Sequence, residues 1–156
     1  MAVIRHEVWI DAPRERVYEC LGSADGVSRW WDTQIERITP QGPVWEHSPG
    51  PAHGVVQMLV RAREPGRLLQ WQCISSHDPS TPASEWTGTT LTFALGERAV
   101  SPAASGGWAR QIPVQTVLSF THQGWKEGAR FFAFCNTAWG TVLQQLKDCA
   151  TMDPHD

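Results

Sequence analysis

Residues 128–150 read GARFFAFCNTAWGTVLQQLKDCA. In this stretch Phe131, Phe132, Cys135, Trp139, Val142, Leu143, Leu146 and Cys149 recur at three- and four-residue spacing, which is the apolar stripe of an α-helix. Gln144, Gln145, Lys147 and Asp148 fall mainly on the opposite, wet side. At about 1.5 Å per residue such a helix is roughly 33 Å long. A sheet of six strands at about 4.8 Å spacing has a similar width. The helix is therefore long enough to cover one whole face of a sheet, and an antiparallel sheet with one apolar face needs such a cover.

The chain before this helix supplies the sheet. Residues 3–10 (VIRHEVWI) alternate, with Ile4, His6, Val8 and Ile10 on one face, and predict a first strand. Ala12-Pro13 opens a short helix over 14–21, because proline suits a first helical position, and Gly22 stops it. Ser23 or Asp25 caps a second short helix ending in Trp30-Trp31-Asp32. Strands are expected over 33–38, 55–62, 68–75, 85–95 and 112–122. Glu64-Pro65-Gly66 is a tight turn between two of them. Residues 39–53, rich in Pro, Gly and His, read as a loop, and 99–109 as a connection. Strands in a run followed by one long helix indicate an α+β fold of about six or seven antiparallel strands, with two short helices after the first strand. A single helix does not fill a strongly curved sheet completely, so a gap is expected near its N-terminal end.

The 156 residues fit one domain, which we take to span 1–156. The net charge is −3 and Lys and Arg do not cluster, which speaks against a nucleic-acid footprint. No run reaches the ~18 apolar residues of a membrane span, and the first residues resemble no signal peptide, so a cytoplasmic location is expected. Cys20, Cys73, Cys135 and Cys149 form no CxxC pair and read as reduced, buried thiols. Nine tryptophans are unusual for this length; each buries about 150–250 Å² when packed, in a core or around a cavity.

The first strand with IDAPRERVYECL resembles the opening of the SRPBCC (START-like) superfamily, the helix-grip fold shared with a major pollen allergen. The resemblance is closer to the branch related to the activator of the 90-kDa heat-shock-protein ATPase. It rests on Ile10, Ala12, Pro13, Val17 and Tyr18; on Trp30-Trp31; on Leu118, Phe120, His122, Gly124 and Trp125; and on Trp139 within the last helix. These occur in order over nearly the whole chain. The resemblance implies a cavity between sheet and C-terminal helix, which in various relatives takes lipids, polyketides, hormones or other apolar molecules. It implies no single activity, since one fold hosts binders, cyclases and interaction modules.

Joined to the inward faces of the strands, the resemblance gives a list of candidate ligand-binding residues. Trp30, Trp31, Met58, Trp71, Leu91, Phe93, Leu118, Phe132, Cys135 and Trp139 are the candidate walls, with Thr89, Thr116 and His122 as polar anchors. The plainer reading of His122 is a structural histidine, and that of Trp139 is a plug of the core. His47 and His53 match no tight metal spacing, and neither a metal nor another cofactor is expected. No G-x-S-x-G elbow, phosphate loop or H-E-x-x-H occurs. The leading reading is a non-enzymatic binder of a small hydrophobic or aromatic molecule, compatible with a homodimer. One alternative is a cyclase or hydrolase using His122 or His6. Another is a protein-interaction module, which exposed Trp45, Trp86 or Trp108 would support.

Overall fold

The computed structural model describes residues 2–100 and 114–152. Seven strands, β1 (Ile4–Ile10), β2 (Ile35–Thr39), β3 (Gly42–His47), β4 (Val56–Glu64), β5 (Leu68–Cys73), β6 (Thr90–Ala99) and β7 (Val114–Gln123), form one antiparallel curved sheet. Their order is β1-β7-β6-β5-β4-β3-β2. Helices α1 (Arg14–Glu19) and α2 (Ala24–Ser28) follow β1, and α3 (Phe132–Thr151) closes the chain. The fold is the expected α+β arrangement.

The inward faces follow the period of two. In β7, Thr116, Leu118, Phe120 and His122 are buried; in β6, Leu91, Phe93 and Leu95; in β5, Leu69, Trp71 and Cys73. Helix α3 lies over this face and buries Cys135, Trp139, Leu143, Leu146 and Cys149 against it. Gly140 of α3 faces His6 of β1: a Cβ there would sit 3.6 Å from the imidazole, so the small residue lets strand and helix approach closely. Ser23 caps α2 by accepting the Gly26 N–H at 3.0 Å. In the β4–β5 turn Gly66 has φ +73°, the left-handed value that a type II turn with Pro65 at its first corner demands.

Several boundaries differ from the sequence expectation. The segment expected to be a loop over 39–53 contains β3, because Trp45 and His47 alternate inward while Pro43 and the flanking glycines hide the pattern. Residues 85–89 are not strand: Pro82–Glu85 is a single 3-10 turn, and Gly88 at φ +83° reverses the chain before β6. The second helix stops at Ser28, short of Trp30-Trp31. Helix α3 starts at Phe132 rather than Gly128, which sits at φ +77° in the preceding turn. Ile112, Trp108 and most of the 99–109 connection lie outside the described residues. All four cysteines are free and buried, with the Cys20 and Cys149 sulfurs 3.1 Å apart.

Candidate functional site

Under the N-terminal half of α3 the sheet and helix separate and leave a cavity of about 210 Å³. Phe134, Cys135, Ala138, Trp139 and Val142 of α3 form its roof. Trp31 and Asp32 come from the segment after α2, His47 from the end of β3, and Val56 from β4. Pro49 and His53 lie on the β3–β4 connection, and Pro82, Ala83 and Trp86 on the 3-10 segment. The volume corresponds to roughly seven waters at about 30 Å³ each, well above a packing defect.

The 3-10 segment is fixed to the helix by chemistry at the helix start. Helix α3 has no capping side chain of its own. The Glu85 carboxylate instead accepts the N–H groups of Arg130 and Phe131 at 2.9 and 2.6 Å. A carboxylate there satisfies orphan donors and suits the positive end of the helix dipole. Trp86 is thereby held against α3, its ring 5.9 Å from Trp139 and near-parallel to it, and its indole N–H 3.5 Å from the Cys135 sulfur. Trp31 sits at the centre of the aromatic wall, with ring centroids at 4.5 Å from His47, 5.2 Å from Trp139, 6.1 Å from Trp71 and 6.4 Å from Trp86.

Of the residues anticipated from sequence, Trp31, Cys135 and Trp139 line this cavity. The pair Trp30-Trp31 divides its roles: Trp30 is core, donating its indole N–H to the Cys20 carbonyl at 2.6 Å, while Trp31 faces the cavity. Met58, Trp71, Leu91, Phe93 and Leu118 are fully buried in the packed core and do not line it. Phe132 belongs to a separate open groove beside the turn over 124–129.

The three anticipated anchors are also outside the lining, because other protein groups take their hydrogen bonds. Thr116 donates to the Ala12 carbonyl at 2.6 Å, fastening β7 to the start of α1. Thr89 donates to the Trp86 carbonyl at 2.5 Å, which leaves its oxygen free to accept the His122 Nε2–H at 2.8 Å. The other nitrogen, Nδ1, accepts the Trp139 indole N–H at 3.2 Å. Both ring nitrogens of His122 are thus occupied in one neutral tautomer. Burial pushes its pKa down to about 3. His6 meets the Asn136 carbonyl at 3.1 Å and likewise lies away from the cavity. An acid–base role for His122 or His6 on a molecule in this cavity has no geometric support. Trp45 is fully buried and Trp86 half-buried, so neither forms an exposed interaction patch.

His47 and His53, which lack the spacing of metal ligands, both line the cavity. His47 is 4% exposed, and its Nδ1 has no hydrogen-bond partner. His53 Nδ1 is also buried without a partner, as is the indole nitrogen of Trp71, which is stacked on Trp31. Burial, and then the neighbouring His77, push the pKa of His47 down to about 4, so it is a neutral imidazole at neutral pH. His77 is itself tied down: its Nε2 lies 2.7 Å from Ser75 Oγ and its Nδ1 2.5 Å from the His53 carbonyl. This bridge holds the β3–β4 connection over the cavity. The alternation of Trp45 and His47 was the signal that would have placed His47 inward. Among the described residues no group of three or more His, Cys, Asp or Glu is placed to hold a metal ion.

The chain is similar to the Aha1 dimer from Colwellia psychrerythraea, known as a solution structure, with TM-score 0.71 and 28% identity over 97% of this chain and 98% of that one. A crystal structure of a Mesorhizobium loti protein matches with TM-score 0.70 at 18% identity, covering 95% of this chain and 96% of that one. CalU16 from Micromonospora echinospora matches with TM-score 0.61 at 16% identity, covering 98% of this chain and 76% of that one. At such identities the last two speak to fold alone. No family model matches the chain, and no curated protein sequence does. No helix among the described residues is long and apolar enough to cross a membrane.

Proposed function

We propose that this chain, which has the helix-grip fold of the SRPBCC superfamily and resembles its Aha1-type branch, binds a small apolar or aromatic molecule between β3–β4 and the N-terminal half of α3. The observation that carries this reading is the cavity itself, about 210 Å³ in volume and walled by Trp31, Trp86, Trp139, Val56 and Val142. Binding sites of this kind are concave, mostly apolar, largely preformed and equipped with few polar groups. An apolar cavity of about 150 Å³ already holds benzene. Drug-sized ligands need roughly 300–1,000 Å³, so a one-ring molecule fits better than a sterol or a long acyl chain.

A thermal-shift screen with one-ring aromatics and with lipids tests the reading, alongside native mass spectrometry of the purified protein. Expected is stabilisation by aromatics that disappears in Ala138→Phe, where the added ring fills the cavity. Lack of any aromatic response by the wild type overturns it. The chain's histidines favour a binder over an enzyme, since His122 is spent on Thr89 and Trp139. For assembly we infer a homodimer, on the strength of the similar Colwellia protein's being a dimer. Light scattering after size-exclusion chromatography should return twice the chain mass of 17.4 kDa.

A further inference from the structure

Two histidines in the wall of the cavity described above carry a ring nitrogen that no protein group satisfies. Buried polar groups in folded proteins are almost always hydrogen-bonded, so each exception calls for an explanation. Among the described residues the buried side-chain nitrogen or oxygen atoms without a partner are His47 Nδ1, His53 Nδ1 and Trp71 Nε1. Two of the three belong to residues of the cavity wall. His47 and His53 line the cavity, and Trp71 stacks on Trp31, which also lines it. Trp45, Trp125 and Trp139, by contrast, donate their indole N–H groups to Glu36, the His122 carbonyl and His122 Nδ1.

We propose that the cavity takes a small planar aromatic molecule bearing one uncharged hydroxyl, which pairs with His47 and is capped by His53. This rests on the cavity being a ligand site at all, and adds the chemistry of what it selects. The hydroxyl follows from the imidazole. A neutral histidine offers one donor and one acceptor, and a hydroxyl complements either. The absence of charge follows from the surroundings. His47 is neutral at physiological pH, and among the described residues of the lining a carboxylate ligand would meet no Lys or Arg. The Asp32 carboxylate also lines the cavity and repels an anion. An ammonium would have to lose its hydration against Val56, Ala83, Ala138 and Val142, which is costly for an ion. The flat ring follows from the walls, where Trp31, Trp86 and Trp139 present aromatic faces to a volume near that of a substituted benzene.

The test uses shape-matched probes, p-xylene, 4-methylphenol and 4-methylbenzoate, titrated calorimetrically into the wild-type chain, His47→Leu and His47→Gln. The quantity read is the affinity ratio of 4-methylphenol to p-xylene. That ratio should fall about threefold to tenfold from wild type to His47→Leu, the amount one net hydrogen bond supplies, and recover in part in His47→Gln. In the wild type, 4-methylphenol should also move the His47 imidazole nitrogen resonances, whereas p-xylene should not. That second readout needs no variant to fold. An unchanged ratio with unmoved His47 resonances overturns the hydroxyl anchor while leaving an aromatic site in place. Tighter binding of 4-methylbenzoate than of 4-methylphenol overturns the requirement for a neutral ligand. If none of the three binds, the ligand site itself fails, and the anchor with it.

Discussion

His122 and His47 face inward from the same sheet, four strands apart, and burial depresses the pKa of both. Their surroundings differ in one respect. Around His122 every polar atom is used: Thr89 accepts from one nitrogen, Trp139 donates to the other, and Trp125 packs at 4.6 Å with its N–H on the His122 carbonyl. Around His47 the ring touches Trp31 at 4.5 Å, the residue lines the cavity, and its buried Nδ1 is left without a partner. The first region is a polar clamp within a packed core; the second is part of the cavity wall. Burial does not separate them. Hydrogen-bond satisfaction does, because a buried hydrogen bond left unmade costs free energy.

The largest effect is expected at Trp139. Trp139→Ala removes a large buried ring that packs 4.5 Å from Phe120 and also strands His122 Nδ1. A loss of about 3–5 kcal/mol is expected in urea denaturation. A loss under 1 kcal/mol would mean that the His122 region is not the packed one. Thr89→Val keeps the shape but takes the acceptor from His122 Nε2–H. It should cost about 1–3 kcal/mol by the same measurement, the penalty of a buried donor left unpaired.

Acid sharpens the contrast. For both histidines the folded-state pKa lies below the usual 6.5, at about 3 for His122 and about 4 for His47. Below pH 6.5 the unfolded chain binds protons that the folded chain refuses, so stability is full above 6.5 and is lost as pH falls towards those values. Each histidine contributes a slope of up to about 1.4 kcal/mol per pH unit in that window. Denaturation midpoints of His47→Leu between pH 6 and 4 should therefore decline less steeply than those of the wild type, by up to that slope. Equal slopes would show that His47 is solvated and not buried.

The smallest effect is expected from His47→Leu at pH 7.5. Removing an imidazole whose Nδ1 is unpaired forfeits no protein hydrogen bond there, and an apolar side chain suits the surrounding walls. Stability should change by less than about 1 kcal/mol in either direction. A loss as large as that of Thr89→Val would imply a protein partner for His47 and would erase the difference between the two regions.

Much of this architecture was legible from local pattern. The stripe from Cys135 to Cys149 identified α3, the alternation in β1, β5 and β7 identified their inward faces, and Pro65-Gly66 identified the hairpin turn. The failures occurred where local signals conflicted. Pro43 and its glycine neighbours hid β3, and the Thr- and Trp-containing run over 85–89 resembled strand although Pro82 and Gly88 shape a turn there. The loss of β3 from the reading is also why His47 was set aside as a loop residue.

What the sequence determined by itself is periodicity: which residues face inward, and hence that aromatic rings and two of the histidines, His6 and His122, stand on apolar faces. That follows because strand and helix periods are properties of neighbouring residues along the chain. Which buried histidine is satisfied was decided only in the tertiary structure. His122 finds its partners 33 and 17 residues away, on β6's approach and on α3, and His47 finds none because helix and sheet diverge above it. Hydrogen bonds form within about 3 Å between atoms that only the folded chain brings together, and no spacing in the sequence encodes that distance.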